Sequence, residues 1–178
     1  MKKIIYLVAF VCINMTAQNK FITKTGVINF EASVPSFEEV AAKNNSVTAI
    51  INTENGEFAA LALVKGFRFK NALMEEHFNE NYAESDQFPK ATFKGKIDNF
   101  DLKKDTSTYN IEGSLAFHGK TKVLKDLAVT INIKENTIIM SGKFVTKASD
   151  FDIDIPKIVS NKIAEDVMVS FEFELNKK

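Results

Sequence analysis

Four stretches of this sequence alternate strictly between apolar and polar residues, at 91–98, 109–118, 127–134 and 167–175. A period of two places apolar side chains on one face of a β-strand and polar side chains on the other. Strands with one buried and one solvated face belong to antiparallel sheets, because parallel strands covered on both faces are apolar throughout. The pattern therefore predicts an antiparallel, all-β fold.

The long runs predict eight strands in a single domain, residues 18–178. Asn55-Gly56 lies between two apolar runs and is typical of a hairpin turn, and the polar breaks at 104–107 and 134–137 have hairpin size. Eight antiparallel strands close as a barrel or split into a sandwich. A barrel removes sheet edges and can hold one small ligand. The predicted strands are 20–32, 46–53, 57–69, 91–99, 108–118, 121–134, 137–149 and 166–176.

Three short helical segments interrupt these strands. Ser36 and Glu39 have capping-box spacing, which predicts a helix from Ser36 to about Lys43. Asn71 can cap a second helix, 72–78, whose apolar residues share one face. Pro156 is suited to opening a third short turn at 157–160.

The second helix must cover some apolar surface. We expect it to cap an open end of the barrel, with Phe78 packed against barrel aromatics such as Phe67 or Phe69. The alternative is a groove on the outside of the barrel. His118 ends a predicted strand and is expected at a rim.

The first 17 residues have the features of a secretory signal peptide. Lys2 and Lys3 precede an unbroken apolar run, 4–13, which polar residues follow from Gln18. At about 1.5 Å per residue this run falls short of a bilayer core of ~30 Å, so we expect no membrane span. We expect cleavage after Ala17 and an exported, periplasmic or secreted protein. A buried N-terminal strand or helix is the alternative.

Composition excludes several classes of function. Lys and Arg number 23 and Asp and Glu also 23, so the chain lacks the basic excess of a nucleic-acid binder. One Cys and two His exclude a disulfide framework and a Cys-rich zinc site. His77 and His118 are either metal ligands or residues at a polar–apolar boundary. With no nucleophile elbow, phosphate loop or dinucleotide fingerprint, we expect no catalysis, no cofactor and no metal.

Asp150, Asp152 and Asp154 have the spacing that begins a calcium loop. The pattern then fails, because Ile155 stands where glycine is needed and Asn161 where the bidentate Glu should be. On a strand the three carboxylates would share one solvated face, and we expect that arrangement.

Glycines fall on the apolar faces of three predicted strands, in register with aromatic neighbours. A glycine within a strand marks a bend, a bulge or a close approach of a ligand. Either these glycines border a cavity, or neighbouring rings cover them. On the first interpretation a Gly113→Leu substitution would block the cavity and leave the barrel folded. The candidate ligand-binding residues are Phe67, Phe69, Phe78, Phe93, Gly95, Gly113, Phe117, Gly142 and Phe144.

Three segments resemble the YceI-like family. They are Leu-Met-Glu-Glu-His-Phe at 73–78, Phe-Pro-Lys-Ala-Thr-Phe-Lys-Gly at 88–95 and Gly-Ser-Leu-Ala-Phe-His-Gly-Lys-Thr-Lys at 113–122. They match the family's helix end with a His and an aromatic, its P-x-A/I-x-F strand start and its L-x-x-H-G-x-T-K strand end. Residues 150–153 also sit where the family often has an Asp-Phe-Gly-Ile-like stretch, with Asp152 replacing the glycine. The resemblance extends over roughly 20–176.

The resemblance implies an extended, lipocalin-like barrel of eight strands in an exported bacterial protein. It also implies a polyisoprenoid or similar amphiphilic lipid as the ligand, held inside the barrel. A Phe-rich lining suits a long apolar tail. Two other classes stay open. One is a stress-response or interaction module whose barrel is filled by its own side chains, and the other is an enzyme that acts on lipids.

Overall fold

Nine strands, numbered in chain order, make up the sheet of the described residues. The computed structural model describes residues 19–35, 37–102 and 105–178, so the predicted signal peptide, 1–17, lies outside the described residues. The strands are β1 Lys20–Ser33, β2 Ala41–Asn52, β3 Glu57–Leu63, β4 Arg68–Phe69, β5 Lys90–Ile97, β6 Thr106–Phe117, β7 Lys120–Lys134, β8 Thr137–Lys147 and β9 Ile163–Lys177.

The sheet closes on itself. The strands lie in the order β1-β9-β8-β7-β6-β5-β3-β2, and β1 also pairs with β2. All these pairs are antiparallel, and the two-residue β4 pairs only with the beginning of β2. The predicted eight-stranded antiparallel barrel is therefore confirmed.

Helical segments are short and lie at strand connections. The helix α1, Ala72–His77, continues as a π-helical turn, Phe78–Tyr82. Asn71 caps α1 as predicted, because its Oδ1 accepts a hydrogen bond from the Leu73 amide at 2.9 Å. The turn after Pro156 is also present, with the Val159 amide donating to the Pro156 carbonyl at 2.9 Å. No helix in the described ranges is long and apolar enough to cross a membrane.

The helix predicted over 36–43 is wrong for the described residues, 37–43, and its predicted cap, Ser36, lies outside the described residues. Residues 37–40 are not helical, and β2 begins at Ala41, which pairs with Glu31 of β1. Ala42 is buried and pairs with Phe30. A capping box adds one local interaction, whereas the β1–β2 ladder satisfies backbone groups along its whole length, so the tertiary pairing prevails.

The predicted strand 57–69 is interrupted by a 3₁₀ turn, Val64–Gly66. The Val64 amide donates to the Pro89 carbonyl at 3.0 Å. The buried Asn44 side chain donates from Nδ2 to the Leu63 carbonyl at 3.0 Å and lies directly against Gly66. The last carbonyl of β3 thus accepts a hydrogen bond from a buried side-chain amide.

The two ends of the barrel differ in packing. The β2–β3, β5–β6 and β7–β8 connections lie at one end, which we call the closed end. Fully buried aliphatic side chains fill it: Ile51, Ile97, Ile131, Ile138 and Leu175. The β1–β2 loop, the segment with α1, the β6–β7 turn and the β8–β9 segment lie at the other end, which we call the open end.

Candidate functional site

A cavity of about 610 Å³ occupies the half of the barrel towards the open end. Its floor is formed by Ile111, Leu127 and Met140, which border the filled half. Most of the chain's 16 phenylalanines line its wall. The lining includes all six phenylalanines predicted as ligand-binding residues: Phe67, Phe69, Phe78, Phe93, Phe117 and Phe144.

Aromatic rings pack against one another across the wall. Phe58 lies 5.7 Å from Phe173 and 6.2 Å from Phe93, measured between ring centroids. Phe171 stacks on Phe173 at 5.3 Å. Sequence reasoning left Phe58, Phe171 and Phe173 out of the candidate site, although the last two lie on the apolar series of an alternating strand.

Phe78 joins α1 to the barrel wall. Its ring centroid lies 5.2 Å from Phe30, 5.2 Å from Phe69 and 6.1 Å from Phe67. The predicted packing of Phe78 against Phe67 and Phe69 is confirmed. Met74 and His77 of the same helix also line the cavity. The helix therefore forms part of the wall at the open end and does not fill an outer groove.

The three strand glycines lie behind the aromatic lining. Gly95 and Gly113 are direct partners across β5 and β6. A Cβ at Gly113 would stand 2.5 Å from the Phe93 ring and 2.5 Å from the Lys94 carbonyl oxygen. A Cβ at Gly142 would stand 2.6 Å from the Phe171 ring.

These contacts place the Phe93 and Phe171 rings between the glycines and the cavity, and Gly95, Gly113 and Gly142 do not line it. Gly113→Leu would therefore strain the barrel itself, because a backbone oxygen and a neighbouring Cα stand where the new side chain would begin.

The exposed lining residues mark the mouth of the cavity at the open end. They are Phe37 and Glu38 of the β1–β2 loop, His77 of α1, Lys147, and Lys162 just before β9. The β8–β9 segment completes the wall on one side with four apolar side chains that sequence reasoning did not assign to the site, Phe151, Ile153, Ile155 and Val159.

The three aspartates do not lie on a strand, although Asp152 and Asp154 are exposed as expected and Asp150 is half-buried. Ala148–Phe151 is a 3₁₀ turn, and Asp152 has a left-handed backbone with φ 55°. The Asp150 carboxylate accepts hydrogen bonds from Lys122 Nζ, from Thr146 Oγ1 at 3.1 Å and from the Lys147 amide at 2.8 Å. Lys122 first, and then the Lys147 amide, lower the pKa of Asp150. Apolar and acidic residues still alternate in this segment, and the apolar ones, Phe151, Ile153 and Ile155, line the cavity.

His118 ties three segments together at the rim. It begins the β6–β7 turn, where His118 and Gly119 both have positive φ, 47° and 72°, as a type I′ hairpin requires. Its Nδ1 lies 2.8 Å from the Phe151 carbonyl oxygen and its Nε2 lies 2.9 Å from Glu84 Oε2. The ring also contacts Phe88 at 4.7 Å. His118 thus has polar partners at both ring nitrogens and an aromatic ring against its face, as expected for a residue at a polar–apolar boundary. The described residues contain no cluster of metal-ligating side chains.

Several solved structures share this fold. A polyisoprenoid binding domain from Saccharophagus degradans, implicated in plant cell wall breakdown, matches 90% of this chain and 99% of its own with a TM-score of 0.77 at 16% identity. BcnA of Burkholderia cenocepacia matches 84% of this chain and 95% of its own with a TM-score of 0.70 at 16% identity. The YCEI protein of Campylobacter jejuni matches 82% and 89%, respectively, with a TM-score of 0.63 at 16% identity.

At this identity the three structures establish the fold alone. No curated protein matches the sequence significantly. The sequence model of the YceI-like domain matches residues 14–175, which is most of the chain and covers the barrel except for the last two residues of β9. The chain belongs to the YceI-like domain family.

Proposed function

We propose that this protein binds an amphiphilic lipid with a long apolar tail, such as a polyisoprenoid, inside the barrel and performs no catalysis on it. The observation that carries the proposal is the cavity itself. A volume of about 610 Å³ lies within the roughly 300–1,000 Å³ of small-molecule sites. Its wall is aromatic and aliphatic from the floor to the mouth.

Removal of apolar area from water contributes about 25 cal/mol per Å² on both the ligand and the wall. A tail gains this free energy along its whole length without needing a polar partner. The polar lining residues, among them Glu38, His77 and Lys147, lie near the open end, where a head group would remain in contact with water. The polyisoprenoid-binding description of the Saccharophagus domain supports the same ligand class.

A barrel filled by its own side chains would support the alternative of an interaction module. Here the aliphatic core fills the closed end, and the described side chains leave the other half unfilled. The unfilled half favours carriage of a ligand over a purely structural barrel.

Organic extraction of the purified protein followed by mass spectrometry tests the proposal. We expect one apolar lipid per protein molecule, and rebinding of a fluorescent prenyl probe after the lipid is removed. An empty extract together with no probe binding would favour the interaction module, and chemical conversion of an added lipid would indicate an enzyme.

A matched pair of variants places the ligand in the cavity. Ala91 lines the cavity, so Ala91→Leu should fill space and weaken probe binding. Ala128 is exposed on β7 between two buried residues, so Ala128→Leu adds the same bulk to the outer wall and should leave binding unchanged. Equal effects of the two variants would contradict a site inside the barrel.

We also propose that the protein is exported. The apolar run at 4–13 and the small residue Ala17 before Gln18 support a signal peptide over residues 1–17. Intact-mass analysis of the protein from the periplasmic or culture fraction should give a chain that begins near Gln18. A secreted or periplasmic chain that retains Met1 would overturn cleavage after Ala17, and a chain found only in the cytoplasmic fraction would overturn export.

A further inference from the structure

Large apolar side chains are exposed around the mouth of the cavity. Ile158 is 85% exposed in the β8–β9 segment, Leu73 is 57% exposed on α1, and Phe37 is 46% exposed in the β1–β2 loop. Phe37 itself lines the cavity, and so do the chain neighbours of the other two, Val159 and Met74. Three separate segments thus present apolar groups to solvent beside one apolar opening.

Isolated exposed apolar residues are ordinary on protein surfaces, whereas their concentration at one site marks an interface. We propose that the open end of the barrel docks on the surface of a lipid bilayer, with Ile158 inserted at the level of the head groups and the cavity mouth facing the lipid. This inference rests on the proposed function, because it concerns how a tail enters and leaves the cavity.

Charge around Ile158 favours a lipid surface as the partner. The turn 156–162, which we call the mouth turn, contains Lys157 and Lys162 and no acidic residue. Neither lysine forms an ion pair with any residue that the structure describes. An exposed aliphatic residue between two uncompensated lysines suits an interface where lipid tails lie beneath phosphate groups.

The acidic residues of the β1–β2 loop and of the first turn of α1 have partners of their own. Glu39 pairs with Lys70, and Glu75 pairs with Arg68 at 2.6 Å. Glu38 accepts a hydrogen bond from Asn71 at 3.1 Å. Asp154 and Glu76 are exposed at the same end, as are Lys90 and Lys147, so the charge of this end is mixed outside the mouth turn.

Docking would also remove a barrier to lipid transfer. A long tail that crosses water exposes apolar area at about 25 cal/mol per Å². If the mouth rests on the bilayer, the tail passes directly from one apolar environment to another. The exposed apolar groups therefore lie where transfer requires them.

Vesicle flotation of the full-length mature protein tests the proposal. We expect binding to phosphatidylcholine vesicles and tighter binding when they contain phosphatidylglycerol. Ile158→Glu should weaken partitioning about tenfold, because it replaces a side chain that would be buried in the interface with a charged one. Leu102→Glu is the matched control, since Leu102 is 40% exposed at the closed end and its replacement should change nothing.

Lys157→Gln separates the charge contribution from the apolar one. It should reduce the preference for phosphatidylglycerol vesicles severalfold, as expected for one lysine at an anionic surface, and leave binding to phosphatidylcholine vesicles unchanged. The preference of the wild type should fall at high salt, since salt screens exposed charges.

Binding of a detergent-solubilised prenyl probe, measured on the same variants, separates this inference from the proposed function. Retained probe binding by Ile158→Glu with loss of flotation supports docking. Probe binding without any flotation of the wild type overturns docking alone, as do equal losses for Ile158→Glu and Leu102→Glu. A wild-type dimer that Ile158→Glu converts to a monomer, with no vesicle binding, would show that the surface joins two copies of the chain and would also overturn it.

Discussion

Phe93 owes its position to two glycines. Gly95 and Gly113 face each other on adjacent strands, and the Phe93 ring covers the space that their side chains would occupy. Phe171 covers Gly142 in the same way. Because glycine has no side chain, a neighbouring ring can lie against the backbone at each of these positions and turn its outer face to the cavity.

Gly113→Ala tests this arrangement. Where space allows, alanine in a strand is more stable than glycine by roughly 0.5–1 kcal/mol. Here the new Cβ would stand 2.5 Å from the Lys94 carbonyl oxygen, so we expect a loss of about 1–3 kcal/mol in the free energy of unfolding, measured by urea denaturation. Ser114→Ala on the exposed outer face is the control. A Gly113→Ala protein as stable as the wild type would show that the strands adjust freely.

The glycines also show what residue patterns cannot predict, namely which group covers a position on the inner face. Alternation correctly placed Gly95, Gly113 and Gly142 in register with the inner faces. Whether a ring or a ligand lies over a glycine depends on which way a neighbouring aromatic leans, and that direction is set by packing between strands. Phe93, Phe117 and Phe144 were predicted to line the cavity from their place on the apolar face of a strand, and Phe78 from its place on a helix expected to cap the mouth.

Elements at the open end are held by polar contacts that alternation cannot predict. The β8–β9 segment is anchored where Asp150 accepts hydrogen bonds from Lys122, Thr146 and the Lys147 amide. This anchor starts the 3₁₀ turn and positions Phe151 in the cavity wall. The spacing of the three aspartates does not reveal this anchor, because Lys122 lies on β7, 28 residues from Asp150 in the sequence. The helix predicted at 36–43 failed because β1 pairs with the end of that segment, Ala41, Ala42 and Lys43.

Asp150→Asn tests the anchor through its dependence on pH. Because Lys122 and the Lys147 amide lower the pKa of Asp150 in the folded state, its stabilising effect is present above the usual value of about 3.9 and is lost as the pH falls through the lower folded value. We expect Asp150→Asn to cost about 1 kcal/mol at pH 7, with the difference from wild type shrinking below about pH 4. Asp154→Asn should have no effect at pH 7. A constant difference from pH 7 to pH 3 would contradict this account.

The helix α1 has the position of a gate. Phe78 packs on Phe30, Phe67 and Phe69, yet the helix has no fully buried residue. We expect Phe78→Ala to speed exchange of a fluorescent prenyl lipid with detergent micelles severalfold while costing less than about 3 kcal/mol of stability. Glu76→Ala, on the exposed face, should change neither quantity. A larger loss of stability with unaltered exchange would show that Phe78 belongs to the core and not to a lid.

At the scale of the whole molecule, the barrel divides into a filled half and a lined half. Sequence alternation does not distinguish the two halves. It shows which face of each strand is apolar, but not the distance between opposite walls of the barrel. The closed end brings branched aliphatic side chains into contact across the barrel, whereas the open end places rings around a space. Stability should therefore reside mainly in one half and ligand binding in the other.

Ile131→Ala and Phe144→Ala test this division. Ile131 is fully buried at the closed end and does not line the cavity, so its truncation leaves a void and should cost about 2–5 kcal/mol in urea unfolding, with probe affinity of the folded protein unchanged. Phe144 is only partly buried and lines the cavity, so the unliganded protein loses little packing when the ring is removed. We expect its truncation to cost about 1 kcal/mol of stability in the lipid-free protein and to weaken probe binding about tenfold, because the exposed part of the ring is buried only when a ligand lies against it. The reverse assignment, with Phe144→Ala strongly destabilising and Ile131→Ala impairing affinity, would show that the cavity is closed by repacking in solution and that the two halves are not separate.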